Sequence, residues 1–172
     1  MTEIPERRQP RPILAQDLAG LHALNEAHAR ETSSMSPEAF VRLLGEAFLA
    51  RAVGPEGAPE ALLIALDAAA DYDSPNFLWF RARGPDAAGD FAYVDRVIVS
   101  ERARGGGLAR RLYAELFASA KEAGLKRVVC EVNSDPPNPA SDAFHAALGF
   151  REVGSARLED RGKTVRYLER LL

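Results

Sequence analysis

At residues 97–112 the sequence reads Val97-Ile98-Val99-Ser100-Glu101-Arg102-Ala103-Arg104-Gly105-Gly106-Gly107-Leu108-Ala109-Arg110-Arg111-Leu112. An apolar strand pattern runs here into three consecutive glycines, and a helical pattern begins directly after them. Glycines let several backbone N–H groups converge, and the N-terminus of a helix adds partial positive charge, so this turn is suited to bind a phosphate group. Arginines on both sides of the glycines add further positive charge.

Three known kinds of phosphate-binding turn begin with a glycine-rich segment of this type. A P-loop is excluded because no Lys-Ser/Thr pair follows the glycines. A dinucleotide-binding turn matches at Gly105-x-Gly107, but Arg110 stands where its third glycine is expected. The acyl-CoA-binding pattern Arg-x-x-Gly-x-Gly/Ala is met in full by Arg104 to Ala109. A tight turn without a ligand also stays open, although three adjacent glycines are costly in backbone entropy.

The segments around this turn alternate between strand and helix patterns. Apolar runs predict strands at 61–66, 91–99 and 127–133, and helical spacing predicts helices at 108–123 and 140–148. A closing hairpin is expected around residues 160–162. This order, with a βαβ unit at 91–133, predicts an α+β or α/β three-layer domain.

Three local expectations are more specific. Ile13-Leu14 is a candidate first strand, and residues 67–76 are expected to form a loop. In the central strand, alternation would put one group of residues on a single face, namely Phe91, Tyr93, Val97 and Val99.

The composition sets limits on partners and location. The chain has 172 residues and a net charge of −3, without a long basic run, so no nucleic-acid partner is expected. No apolar run reaches the roughly 18 residues of a membrane helix. The single cysteine, Cys130, excludes an internal disulfide and fits a cytoplasmic protein. We expect residues 1–12 to form a flexible leader and residues 13–172 to form one domain.

Two motifs resemble those of the GNAT N-acetyltransferase superfamily. One is residues 97–112, and the other is Asn138-Pro139-Ala140-Ser141-Asp142-Ala143-Phe144-His145-Ala146-Ala147-Leu148-Gly149-Phe150, which resembles the family's Asn-x-x-Ala-x-x-Leu-Tyr-x-x-x-Gly-Phe. Residues 72–80 and 130–139 look, more narrowly, like a subgroup of predicted acyltransferases of unknown substrate. The resemblance implies a mostly antiparallel sheet flanked by helices. It also implies an acetyl-CoA-dependent N-acetyltransferase whose acceptor is a small-molecule or peptide amine. A homodimer is one oligomeric state that the resemblance implies.

The same resemblance implies which residues bind acetyl-CoA. The backbone of Val97, Ile98 and Val99 would bind the pantetheine arm, and Asn138 would contact the CoA arm. The pyrophosphate would be held by backbone N–H groups of the turn, beside the charge of Arg110; those residues are Arg104, Gly105, Gly106, Gly107, Leu108 and Ala109. His145 stands where many members carry the general-acid tyrosine. It could donate a proton, contact the cofactor or only pack, and Tyr93 or Tyr113 could serve instead.

An ammonium acceptor must lose a proton before it attacks a thioester. Asp95 and Glu131 are the candidate general bases, since each is a carboxylate in a largely apolar strand and should face a cleft or a partner. The alternatives are ion pairs, of Asp95 with Arg96 or Arg127 and of Glu131 with Lys126 or Arg151. A water relay without a dedicated base is a further alternative.

The acceptor is expected to contact the segment that follows the second predicted strand. The loop 71–76 combines acidic, amide and aromatic groups, and an ordinary solvated turn with an aromatic plug is the competing interpretation. The predicted acceptor residues are Tyr72, Asp73, Asn76, Trp79 and, on the next strand, Asn133. Two other functions stay open at this point, a non-catalytic acyl-CoA-binding module and a dinucleotide binder.

Overall fold

A computed structural model describes residues 8–83 and 89–172, so most of the leader, Met1 to Arg7, lies outside the described residues. In chain order the elements are α1 (Leu18–Ala27), α2 (Pro37–Gly45), β1 (Leu49–Val53), β2 (Ala61–Asp67), α3 (Pro75–Arg81), β3 (Phe91–Val99), α4 (Leu108–Glu122), β4 (Arg127–Asp135), α5 (Pro139–Ala147), β5 (Arg151–Leu158) and β6 (Lys163–Leu171). The strands predicted at 61–66, 91–99 and 127–133, the helices predicted at 108–123 and 140–148 and the closing hairpin are confirmed to within a few residues at each end, whereas β1 and α3 are not predicted.

The strands form one mixed sheet in the order β1-β2-β3-β4-β6-β5. Neighbouring strands are antiparallel except β3 and β4, which are parallel. Buried apolar residues form two clusters, one between the sheet and α4 and the other between the sheet and α1, α2 and α3. The predicted three-layer α+β class is therefore confirmed.

Helix α4 shows how the sequence builds the layer that carries the glycine-rich turn. Leu108, Leu112, Leu116 and Ala120 recur at helical spacing, and all four are buried against the sheet. Gly124 then takes a left-handed conformation, with φ of +77°, and ends the helix. The apolar stripe and its end signal thus locate the helix from sequence alone.

The expected face of β3 is wrong in its second half, because the strand carries a β-bulge. Ile64 pairs with Arg96 and Ala65 with Val94, so that Asp95 has no partner position on β2. The extra residue reverses the alternation. Phe91 and Tyr93 therefore pack toward α3, whereas the last apolar residues of the strand pack toward α4, namely Val97 and Val99.

Two further local expectations are corrected by tertiary contacts. Ile13-Leu14 is not a strand; instead Arg11, inside the predicted leader, forms a two-hydrogen-bond bridge with Ala52 of β1. The Arg11 guanidinium also pairs with buried Asp17 at 2.7 Å. The loop expected up to Asn76 ends earlier, since α3 begins at Pro75. Proline suits the first helical turn, which has no intrahelical use for its N–H.

Candidate active site

The central sheet opens between its two parallel strands. β3 and β4 pair at only three positions, the last being Tyr93 with Val129. Beyond them lies a cavity of about 560 Å³, lined by Val94 to Val97 on one side and Cys130 to Asn133 on the other. It reaches Tyr113 of α4 on one face of the sheet and residues 29 and 31–34, between α1 and α2, on the other. Two ligands could therefore meet in it from opposite faces.

Glu131 lines this cavity from β4. Asn76 donates a hydrogen bond to its Oε1 at 2.9 Å, while its buried Oε2 accepts no hydrogen bond from the described residues. Burial, together with the nearby charge of Asp95, raises the pKa of Glu131 to about 7, and the nearby hydroxyl of Tyr93 and the amide of Asn76 partly oppose this shift. A carboxyl with this pKa can accept and release protons near neutral pH.

Asp95, the other predicted base, has its oxygens engaged. The bulge turns Asp95 and Arg96 to the same face, and Arg96 Nε lies 2.7 Å from Asp95 Oδ2. Tyr72 donates its hydroxyl to Asp95 Oδ1 at 2.6 Å. The ion pair foreseen as the alternative for Asp95 is thus present, and both side chains are almost fully buried, 4% and 2% exposed. Both oxygens of Asp95 are therefore engaged, whereas Glu131 keeps one oxygen without a partner, which favours Glu131 as the base.

On the α4 side of the opening, His145 is hydrogen-bonded to Tyr113. Its Nε2 lies 2.8 Å from the Tyr113 hydroxyl, and its Nδ1 lies 2.8 Å from the carbonyl oxygen of Ser141. Because a carbonyl can only accept, Nδ1 carries the proton and Nε2 accepts from Tyr113. Burial lowers the pKa of His145, which keeps the ring neutral. Burial also raises the pKa of Tyr113 well above its usual value.

The glycine-rich turn is open in the way a phosphate group requires. Gly105 and Gly107 have φ of +77° and +73°, and a Cβ added at either would meet no atom within 4 Å. A second cavity, of about 340 Å³, lies against the turn and is lined by Val99, Arg104, Leu108, Ala109 and Arg110 among others. With the N-terminus of α4 beside it, the turn fits a pyrophosphate.

The remaining predicted residues divide into two groups. Asn76, Asn133 and Asn138 line the central cavity, and Asn138 also caps α5 by accepting a hydrogen bond from Ser141 N at 3.2 Å. Trp79 and Asp73 do not line it. Trp79 stacks on Tyr167 with 4.0 Å between ring centroids and covers Gly154, and Asp73 is exposed at the start of α3. For Trp79 the aromatic-plug interpretation is the one that fits.

Two polar contacts that organise the cavity are not predicted from the sequence. The first joins Tyr113, which the sequence offers as a possible proton donor, to His145. A tyrosine hydroxyl in the apolar stripe of α4 needs a partner, and that need was the available signal. Tyr167 of β6 donates to Asn76 Oδ1 at 3.0 Å and so orients the amide that holds Glu131. The three residues Asn76, Glu131 and Tyr167 come from α3, β4 and β6, which no local pattern connects.

The described residues contain no group of His, Cys, Asp and Glu that could hold a metal ion. Within the same ranges, no helix combines the length and apolar character needed to cross a membrane.

Known proteins that are similar to this chain identify its protein family. Residues 69–150 match the model of the "Acetyltransferase (GNAT) family". The chain is 32% identical over 154 residues to phosphinothricin N-acetyltransferase of Streptomyces coelicolor, an alignment that covers 87% of this chain and 85% of the relative. The fold and its opened sheet are those of an acyltransferase. The chain belongs to the GNAT acetyltransferase family and is an N-acetyltransferase.

Solved structures show the same fold at lower sequence identity. The ribosomal-protein-S18-alanine N-acetyltransferase of Escherichia coli superimposes with a TM-score of 0.69 at 19% identity, over 95% of this chain and 92% of that chain. Ard1 of Thermoplasma volcanium superimposes with a TM-score of 0.71 at 15% identity, over 95% and 97%. The expected mostly antiparallel sheet with flanking helices is therefore confirmed.

Proposed function

We propose that this protein transfers the acetyl group of acetyl-CoA directly to an amine, with Glu131 as the general base. The observation that carries the proposal is the continuous cavity through the opened sheet. One of its sides presents the unpartnered oxygen of Glu131, and its other face presents the hydroxyl of Tyr113. Family membership supports acetyl transfer, and the open glycine-rich turn supports CoA as the acyl carrier.

In the proposed reaction, CoA enters on the α4 face and the amine on the face of α1 and α3. Glu131 removes one proton from the ammonium group, after which the amine nitrogen attacks the thioester carbonyl carbon. The new N–C bond forms and the C–S bond breaks. Of the three ammonium protons, one stays on the amide and one passes through Glu131 to solvent. The third proton passes from the nitrogen to Tyr113 and replaces the proton that Tyr113 gives to the leaving thiolate.

Tyr113 is the proposed donor of the proton that the thiolate takes. Many family members carry a general-acid tyrosine at the position of His145, and Tyr113 takes over its role here. The neutral ring of His145 is fixed by Ser141 and holds the Tyr113 hydroxyl at 2.8 Å. In the proposed step the hydroxyl turns its hydrogen from His145 Nε2 to the leaving sulfur, which takes this proton as the C–S bond breaks. His145 is therefore a positioning residue in this mechanism. Tyr113 regains its proton from the attacking nitrogen as the tetrahedral intermediate collapses.

The experiment follows free thiol release from acetyl-CoA with a panel of amines, amino acids and peptides. Phosphinothricin and peptides with an N-terminal alanine belong in the panel, because the names of similar proteins mention them. We expect release that depends on an acceptor and a kcat/KM that rises with pH through about 7, where Glu131 loses its proton. Glu131→Gln should lower kcat/KM by about 10²–10⁴-fold.

Two other results would contradict the proposal. Tight CoA binding without turnover of any acceptor would favour the non-catalytic acyl-CoA-binding module. An active Glu131→Gln variant with an unchanged pH profile would leave acetyl transfer intact but remove Glu131 as the base, in favour of a water relay.

A further inference from the structure

The opening of the cavity on the acceptor face is bordered by two chain segments. One is the connection between α1 and α2, including Glu31 to Ser34, and the other is the turn between β5 and β6 with the start of β6. The second segment contributes two cations, Arg161 and Lys163, whereas Glu31 is the one acidic side chain among the described residues at this opening. The side chains that line this opening therefore carry one positive charge in excess, while Glu159 and Asp160 of the same turn do not line it.

Neither cation is neutralised by a strong ion pair within the described residues. Lys163 is half-buried, and its Nζ donates to the carbonyl oxygen of Arg30 at 3.0 Å, a contact that leaves its charge uncompensated. Arg161 has only a 3.9 Å contact with its exposed neighbour Asp160. Such exposed pairs contribute little and exchange easily. Both cations are therefore free to bind an anion that enters the cavity.

Deeper in the cavity the charge has the opposite character. Asp95 and Arg96 neutralise each other, which leaves Glu131 as the acidic group at the reacting end. An acceptor thus meets a carboxylate where its amine must react and cations where the rest of the molecule lies. The complement of this arrangement is a molecule with an ammonium group at one end and an oxyanion at the other.

Resting on the proposed function, we infer that the acceptor is an amine that also carries an anionic group, a carboxylate or a similar oxyanion, and that Arg161 and Lys163 bind this group. Arg161 and Lys163 are thereby specificity-determining residues rather than catalytic ones. The same two charges act against polycationic acceptors such as polyamines, which would place a second ammonium group beside them.

The test compares acceptors that share one amine but differ in charge: each free amino acid, its carboxamide and the amine that lacks the carboxylate. The α-amine of the carboxamide is the more acidic, so at equal pH more of it is in the reactive neutral form. A preference for the free acid must therefore come from binding. We expect kcat/KM for the preferred free acid to exceed that of its carboxamide by at least about tenfold, and the preference to shrink as salt is added.

Variants then assign the preference to residues. Arg161→Gln and Lys163→Gln should each raise KM for the free acid by about tenfold, leave its kcat nearly unchanged and leave the carboxamide unaffected. Arg157→Gln is the matched control, because Arg157 lies on β5, is 60% exposed and pairs with Glu159 outside the cavity. Thermal melting shows whether each variant is folded.

The outcomes separate this inference from the function on which it rests. Carboxamides or plain amines acetylated as well as free acids, or a double variant that keeps the preference for acids, would overturn the inference and leave acetyl transfer intact. Acetylation of no acceptor in any charge class would overturn the proposed function, and the inference with it.

Discussion

The two carboxylates that the sequence offers as bases differ in their surroundings. Asp95 and Glu131 both stand in apolar strands, and the sequence gives no reason to choose between them. The tertiary structure supplies Arg96 and Tyr72 to Asp95, while it leaves one oxygen of Glu131 without a partner. An oxygen that already accepts hydrogen bonds is less available to take a proton than one without a partner. The choice of Glu131 therefore depends on contacts between distant elements.

The raised pKa of Glu131 predicts a stability effect that needs no substrate. The folded chain holds a proton at Glu131 up to about pH 7, whereas a carboxyl of the unfolded chain releases it near pH 4.3. The free energy of unfolding therefore falls as the pH rises between these values, and the cost is fully present above pH 7. The difference between these two pKa values corresponds to about 3–4 kcal/mol. Glu131→Gln removes this cost, and at about 2–4 °C per kcal/mol we expect its Tm at pH 8.5 to exceed that of the parent by about 6–15 °C.

The measurement is thermal melting of both proteins at pH 4 and at pH 8.5. At pH 4 the two melting temperatures should agree to within about 1 °C, because the carboxyl is protonated in the folded state and mostly protonated in the unfolded state. Glu152→Gln on the exposed side of β5 controls for the Glu-to-Gln change itself. A parent protein that is the more stable of the two at pH 8.5 would contradict the desolvation of Glu131.

At the scale of elements, the glycine-rich turn and α4 form one unit that local sequence predicts well. The glycines predict the turn, the apolar stripe predicts the helix and Gly124 predicts its end, and the structure confirms these boundaries. β3 differs from α4 in this respect. Its bulge at Asp95 depends on how β2 pairs with it, so alternation within the strand gives the wrong face for Val97 and Val99.

The turn allows a test that separates backbone strain from ligand binding. Gly107 and Gly124 flank α4 with φ of +73° and +77°, and a Cβ at either would meet no atom within 4 Å. Gly107→Ala and Gly124→Ala should each cost about 1–2 kcal/mol of stability, because L-residues are strained in this conformation. Only Gly107→Ala should weaken CoA binding, by about tenfold or more, since its methyl group enters the proposed phosphate site.

Stability is measured by urea unfolding, and the Kd of CoA by isothermal titration calorimetry. Equal effects of the two substitutions on CoA binding would mean that affinity follows general stability. The turn would then lose its proposed role as the pyrophosphate site.

At the scale of the whole molecule, the cavity crosses the sheet and, in the proposed reaction, gives each substrate its own entrance. Both substrates would then be bound at once, and transfer would need no acetylated enzyme. The thiol of Cys130, the single cysteine, lies at the cavity wall, but burial raises its pKa well above the usual value and keeps it protonated. A protonated thiol is a poor nucleophile.

Direct transfer predicts intersecting lines when initial rates are measured at several fixed concentrations of the second substrate. Cys130→Ala should keep at least about half of the parent kcat, because the small buried thiol only packs in this mechanism. Parallel lines, together with a burst of thiol release without acceptor and an inactive Cys130→Ala, would instead indicate a covalent acetyl-cysteine intermediate.

The sequence by itself determined the strands and helices from β3 to the closing hairpin, the βαβ unit around the glycine-rich turn and the family resemblance that the comparisons confirm. These features depend on residues close together in the chain, where periodicity and glycine conformation act directly. The tertiary structure decided which carboxylate keeps one oxygen without a partner, which hydroxyl lines the cavity on the α4 side and which cations border its opposite opening. Those properties depend on desolvation and hydrogen bonds between side chains up to 91 residues apart, as between Asn76 and Tyr167, and no local pattern records them.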